Sequence, residues 1–195
     1  MTSISALENI HKRGLFGDHQ GKDKNELTNV SEVKHLQIIQ IVQYKKSTIQ
    51  IASLNLDNLQ FPEVPMQVHS NKETRILWSG PSNWLLVSTK KDILNSVQKI
   101  CDDKKFAITD LSHSRAIIEL KGSNSKEVLK KGCPININEF KVNNCANSIF
   151  HGITITIDMI SNDPETFRIF ALRSFGESLY HSITDACLED GYQGI

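Results

Sequence analysis

A chain of 195 residues with 39% hydrophobic and 23% charged side chains has an ordinary globular composition. At that length folding removes roughly 70% of the unfolded surface from water, enough for a core without disulfide or metal staples. Lysine plus arginine equals aspartate plus glutamate, 22 against 22, and no basic run gathers on one segment, which disfavours a nucleic-acid binder.

Residues 1–33 are polar and irregular, with too few apolar side chains to offset the entropy of ordering them alone. They read as a flexible N-terminal arm, with residues 34–195 as a single α+β domain. A sharper reading makes Leu15 and Phe16 anchors of that arm on a partner. The start, Met1-Thr2-Ser3-Ile4-Ser5-Ala6, lacks the charged-then-apolar order of an export signal, so a cytoplasmic protein is expected. No apolar run reaches the roughly 18 residues of a membrane span.

From residue 34 the pattern turns to short strands. Residues 36–42 and 48–54 are rich in β-branched side chains and predict two strands, the first covered on both faces or bulged. Residues 75–79 and 84–88 predict a strand pair around Gly80-Pro81-Ser82-Asn83, a turn by composition. Thr89 with Asp92 reads as a capping box, and Ile93, Leu94, Val97, Ile100 and Cys101 recur at helical spacing behind it.

The second half repeats this grammar. Residues 106–111 and 115–120 predict strands around Ser112-His113-Ser114. A short helix carrying Val128 and Leu129 is stopped by Gly132 and Pro134. Ile153, Ile155, Ile157 and Met159 alternate with Thr154, Thr156 and Asp158, predicting a half-buried strand that returns over residues 167–172 after Asn162-Asp163-Pro164. Ser174 and Glu177 read as the capping box of a last helix, with Phe175, Leu179, Ile183, Ala186 and Cys187 on one face and Gly191 ending it. The order predicts an α+β fold, a mainly antiparallel sheet with packed helices, built as two similar βαβ-type halves.

Few residues point to chemistry. Asp110, Ser112 and His113 are triad types, but neighbours on an extended strand face opposite ways and no G-x-S-x-G elbow is present, so turn bonding is the better account. Lys130 and Lys131 could activate Cys133, yet a helix C-terminus opposes a thiolate. Cys101, Cys133, Cys145 and Cys187 are scattered without ligand spacing and are expected to be reduced, mostly buried thiols rather than a zinc site. Neither a dinucleotide nor a nucleotide loop motif is encoded. Trp78 and Trp84, flanking a turn, suit a core or a subunit contact better than a planar ligand. From the residues alone no catalytic, cofactor-binding or metal site is assigned.

Three segments resemble the sarcosine oxidase gamma-subunit family. Ile76-Leu77-Trp78-Ser79-Gly80-Pro81-Ser82-Asn83-Trp84-Leu85-Leu86 is similar to its L-W-x-G-P-x-x-W-L-L strand pair. Thr109-Asp110-Leu111-Ser112-His113-Ser114-Arg115 resembles its D-L-S-x-S-R segment. The same segment continues through Leu120-Lys121-Gly122 to Val128-Leu129-Lys130-Lys131-Gly132-Cys133-Pro134-Ile135-Asn136-Ile137, which resembles its V-L-x-K-G-C-P-x-D-L exit, with Asn136 in place of the usual aspartate. Arg173-Ser174-Phe175-Gly176-Glu177-Ser178-Leu179 is similar to its R-S-F-x-x-S-L helix.

The resemblance implies a fold like the folate-binding domain of aminomethyltransferases. It implies a small structural subunit of a heterotetrameric sarcosine oxidase, with alpha, beta and delta subunits as partners and no nucleic acid or membrane. FAD, FMN, NAD and tetrahydrofolate are then implied for those partner subunits and no cofactor for this chain. In such complexes sarcosine is demethylated oxidatively to glycine and its methyl carbon passes to tetrahydrofolate. The family supplies no catalytic residue to carry over, and Leu15, Phe16, Trp78, Trp84 and Phe175 are the candidate partner contacts. The alternative is a free-standing folate-binding or one-carbon transfer protein of the same wider group.

Overall fold

The computed structural model describes residues 4–195, so Met1, Thr2 and Ser3 of the leader reading lie outside the described residues. In chain order the strands and helices are β1 (Gly14–Phe16), β2 (Thr28–Glu32), β3 (Gln37–Gln43), β4 (Asn55–Leu56), β5 (Leu59–Gln60), β6 (Val68–Ser70), β7 (Thr74–Gly80), β8 (Asn83–Ser88), α1 (Ile93–Ile100), β9 (Phe106–Asp110) and β10 (Arg115–Lys121). They continue with α2 (Ser125–Lys130), β11 (Cys145–Phe150), β12 (Ile153–Asn162), β13 (Glu165–Leu172), α3 (Gly176–Cys187) and β14 (Tyr192–Gly194). The chain divides into two compact units. One comprises Met1–Lys34, Ser114–Val142 and Asn147–Ile195, the other His35–His113 and Asn143–Ala146.

The second unit is built on a five-stranded sheet, order β6-β7-β8-β3-β9, antiparallel throughout. β3 lies between β8 and β9, so those two strands run parallel and α1 makes a split β–α–β crossover between them. The apolar stripe read from the sequence is the reason α1 stays on the sheet: Ile93 and Val97 join Ile39, Ile41, Ile76 and Leu86 in one core cluster. Both edges of β3 are thus occupied. Residues 48–54, expected as a second strand, instead lead into a 3-10 turn over Ile51–Ser53. Gln43 satisfies that turn locally, its side chain donating to the Ile49 carbonyl at 2.8 Å.

The other unit carries a seven-stranded sheet, order β1-β14-β2-β10-β13-β12-β11. β2 and β14 run parallel, while β1·β14, β2·β10, β10·β13 and β12·β13 are antiparallel. α3 connects β13 to β14 across β10 and β2, a second split crossover. The α+β, mainly antiparallel architecture is therefore present, with a crossover helix in each unit. Ile155, Ile157 and Met159 are buried as their alternation required. Asp158, expected on the outer face, is fully buried too and sits opposite Arg168, which pairs with Glu119 at 2.9 Å. Three strands thus carry a row of alternating charges.

Of the arm that composition implied, the described residues 4–33 instead belong to the sheet and its core. β2 sits inside the sheet between β10 and β14, and Leu7, Leu27 and Val30 are buried. Before β1, Leu7 N–H and the Ser5 hydroxyl donate to the Glu32 carboxylate, and Lys12 N–H donates to Tyr180 Oη at 3.1 Å. Composition missed this because every partner is distant in sequence.

Neither predicted capping box forms. α1 begins at Ile93, and neither Asp92 nor Phe175, at the two N-caps, makes a side-chain cap bond. The Thr89 hydroxyl turns instead to the Glu73 carbonyl. α3 is entered through a 3-10 turn over Arg173–Phe175, held by Arg173 N–H donating to the Ser114 carbonyl at 2.8 Å.

Candidate functional site

The triad-like run resolves into turn chemistry. Asp110 ends β9, and its Oδ1 accepts from both Ser112 N–H, at 2.9 Å, and Ser112 Oγ, at 2.6 Å. These bonds hold the Asp110 carboxyl below the usual carboxylate range. Ser112 Oγ in turn accepts from Ile38 N–H at 2.9 Å, tying the turn to β3. A nucleophilic serine needs its hydroxyl proton aimed at a base with room for an acyl group. Here the proton is donated to a carboxylate that also caps the turn.

All four cysteines are free thiols and buried. Burial pushes Cys101 and Cys133 up to about 11 and Cys187 up to about 12. Cys133 follows the expected Gly132 stop of α2, its N–H donating to the Leu129 carbonyl at 2.9 Å. Lys131, the cation expected beside it, serves α3 instead. Its Nζ donates to the Ala186 carbonyl at 2.7 Å and pairs with Glu189 at 2.8 Å, a positive charge at a helix C-terminus. Gly132 is fixed by close approach, since a Cβ there would lie 2.4 Å from the His151 ring and 2.7 Å from that of Phe150.

The aromatic candidates separate by environment. Trp84 is only 3% exposed, stands edge-on to Phe61 at 5.4 Å and donates Nε1–H to the Pro62 carbonyl at 2.8 Å. It is a core residue, which corrects its reading as a partner contact: the Phe61–Pro62 segment, unassigned from sequence, covers it. Trp78 faces Trp84 across the β7–β8 pair and remains part-exposed. Phe16 stacks on Tyr192 at 5.1 Å, while its neighbour Leu15 stays exposed on the outermost strand. Phe175, expected on the packed face of the last helix, lies in the 3-10 turn before it and is 47% exposed, with Leu172 and Ile4 also exposed nearby in the same unit.

Among the described residues no three His, Cys, Asp or Glu side chains gather into a metal-binding group. No described helix is long and apolar enough to cross a membrane. A groove of about 580 Å³ runs beside β9, lined by residues of the second unit including Tyr44, Gln98, Asp102 and Ile108. For interaction the geometry offers exposed apolar side chains such as Phe175 and Leu172 in one unit and, in the other unit, an open strand edge at β9. Nothing in the local sequence of β9 signals it, because an edge exists only once the strand order is set.

The model of the sarcosine oxidase, gamma subunit family matches residues 49–189, well over half of the chain. The chain belongs to the sarcosine oxidase gamma subunit family. Two sarcosine oxidase gamma subunits are similar over part of their length. The one from Corynebacterium sp. (strain U-96) is 29% identical over 119 residues, 60% of this chain and 57% of that protein. The one from Corynebacterium sp. (strain P-1) is 25% identical over 130 residues, 65% of this chain and 63% of that protein. The matched region thus spans less than two thirds of either relative.

In fold the chain is similar to a chain of the heterotetrameric sarcosine oxidase from Corynebacterium sp. U-96 in complex with pyrrole 2-carboxylate. The TM-score is 0.81 at 21% identity, covering 95% of this chain and 96% of that one. It is also similar to glycine cleavage system aminomethyltransferase T from Bartonella henselae, with a TM-score of 0.57 at 11% identity over 82% of this chain and 46% of that one. The family-like segments fall on the β7–β8 pair, on β9 through α2 and its exit, and on the turn entering α3. They are turns and packed strands, the parts that set the fold.

Proposed function

We propose that this chain is the small structural subunit of a heterotetrameric sarcosine oxidase, serving assembly and supplying no catalytic residue. Its partners are the alpha, beta and delta subunits, which carry FAD, FMN, NAD and the tetrahydrofolate site. In that complex sarcosine loses two electrons to flavin and becomes an imine, the methyl carbon passes to tetrahydrofolate, glycine leaves and oxygen takes the electrons. The family match over residues 49–189 carries this reading, and a likeness of fold spanning 95% of the chain supports it. The chain's own chemistry agrees: its thiols are buried with raised pKa values, its one triad-like run is a turn, and apolar side chains such as Phe175 and Leu172 are left exposed.

A tagged chain purified gently from its own cell tests the proposal through the flavin absorbance and sarcosine oxidation of what elutes with it. A yellow assembly with larger subunits that oxidises sarcosine is the expected result, and a colourless monomer overturns it. The likeness to aminomethyltransferase T raises the competing reading of a free-standing folate-binding protein. Titrating the isolated chain with tetrahydrofolate separates the two, since only the competing reading requires this chain to bind it alone.

A further inference from the structure

The antiparallel register of β9 with β3 decides which of its main-chain groups face outward. Leu111 N–H donates to the Ile38 carbonyl and Tyr44 N–H to the Lys105 carbonyl, so in this ladder the bonded positions of β9 are Ala107 and Thr109. Phe106, Ile108 and Asp110 therefore direct their N–H and C=O groups away from β3. The Phe106 N–H is taken by the Asp102 carbonyl. Ile108 keeps both groups on the outer side. β9 is the last strand of its sheet, and among the described residues no strand pairs with it there. The opposite edge is different: on β6, Val68 N–H already donates to the Asn143 carbonyl.

An open edge of this kind is usually guarded by a lysine, a proline or a bulge inside the strand. β9 reads Phe-Ala-Ile-Thr-Asp and has no lysine or proline. The groove beside it wraps the strand rather than lying on one face. Phe106 and Ile108 line it from the core side, whereas Ala107 and Tyr44 belong to the other face of the sheet. Its charged lining consists of Asp102 and Asp103, both exposed. Lys99, Lys104 and Lys105 are near in sequence but do not line it.

We propose that this edge receives an extended strand from a partner subunit of the assembly. That segment pairs with Ile108 through two main-chain bonds, sets an apolar side chain against Phe106 and Ile108, and carries a lysine or arginine toward Asp102 and Asp103. The inference rests on the subunit reading above.

Residue-resolved hydrogen exchange on the isolated chain and on the purified complex tests it. The Ile108 amide exchanges freely in the chain alone and is slowed by about a hundredfold or more in the complex. An unchanged Ile108 rate in the complex overturns the proposal. Two variants give a second readout. Ile108→Pro leaves the β3 ladder intact because its N–H does not donate to β3, and Asp103→Lys reverses an exposed charge. Each, once its fold is checked by tryptophan fluorescence, is expected to weaken co-purification with the larger subunits by about tenfold or more. If the wild-type chain assembles and both folded variants assemble equally well, the groove proposal alone falls. If the wild-type chain brings down no flavin-bearing partner, the subunit reading falls first.

Discussion

The indole of Trp84 fills the space between β8 and the Phe61–Pro62 segment, and its Nε1–H has a carbonyl partner there. Truncation leaves a large cavity. Trp84→Ala is expected to cost about 3–5 kcal/mol in urea unfolding. Trp84→Phe keeps most of the packing and forfeits mainly the hydrogen bond, about 1 kcal/mol. Part-exposed Trp78 is expected to cost clearly less on truncation, and equal losses at the two positions would overturn this assignment. The four thiols make a second case. With Cys101 and Cys133 raised to about 11 and Cys187 to about 12, a disulfide reagent at pH 8 should find almost no thiolate at these three positions of the folded chain. All four should react once denaturant is added. The sequence announced the inert thiols through missing ligand spacing, but it could not separate Trp78 from Trp84. Both flank one turn, and only the fold covers one of them.

Between elements, a charged network fastens the β4–β5 turn to β7 and to the segment following β8. Burial alone would raise Asp57, but bonds from Lys90, Thr74 and Asn71 outweigh it and hold the carboxyl below its ordinary 3.8. A depressed carboxylate contributes stability that is present above its unfolded value and is lost as pH falls through the folded one. Asp57→Asn is therefore expected to be less stable than wild type at pH 7, with the gap closing as pH falls below 3.8 and through the lowered folded value. Thermal melts of both proteins across that range check it, and a constant gap would remove Asp57 as its source. At α2, Gly132→Ala places a methyl against the His151 and Phe150 rings and is expected to cost about 1–3 kcal/mol. The sequence marked this glycine only as a helix stop. Its close approach to residues 150–151 arises from packing across a sequence gap.

Across the whole chain the largest revision concerns residues 1–33. β2 is interior to a seven-stranded sheet and β14 leans on it in parallel. Deleting residues 1–33 is thus expected to remove β1 and β2, strip β14 of both its neighbours and prevent the seven-stranded unit from folding. Far-UV circular dichroism of residues 34–195 checks this, and a truncated chain with undiminished sheet signal would restore the arm reading.

What the sequence determined by itself was local. Alternation marked β12, helical spacing marked α1, turn chemistry marked the β7–β8 hairpin, and family-like segments pointed to the family over residues that a family model also matches. Each signal lives within a few residues, where side-chain period and backbone preference act directly. The tertiary structure alone decided the strand order. It placed β3 between β8 and β9 and ended residues 48–54 in a 3-10 turn over Ile51–Ser53, placed β2 inside its sheet, buried Asp158 opposite Arg168 and left β9 with an open edge. Sheet neighbours are chosen by contacts between distant segments, and no local pattern records which segment will lie alongside.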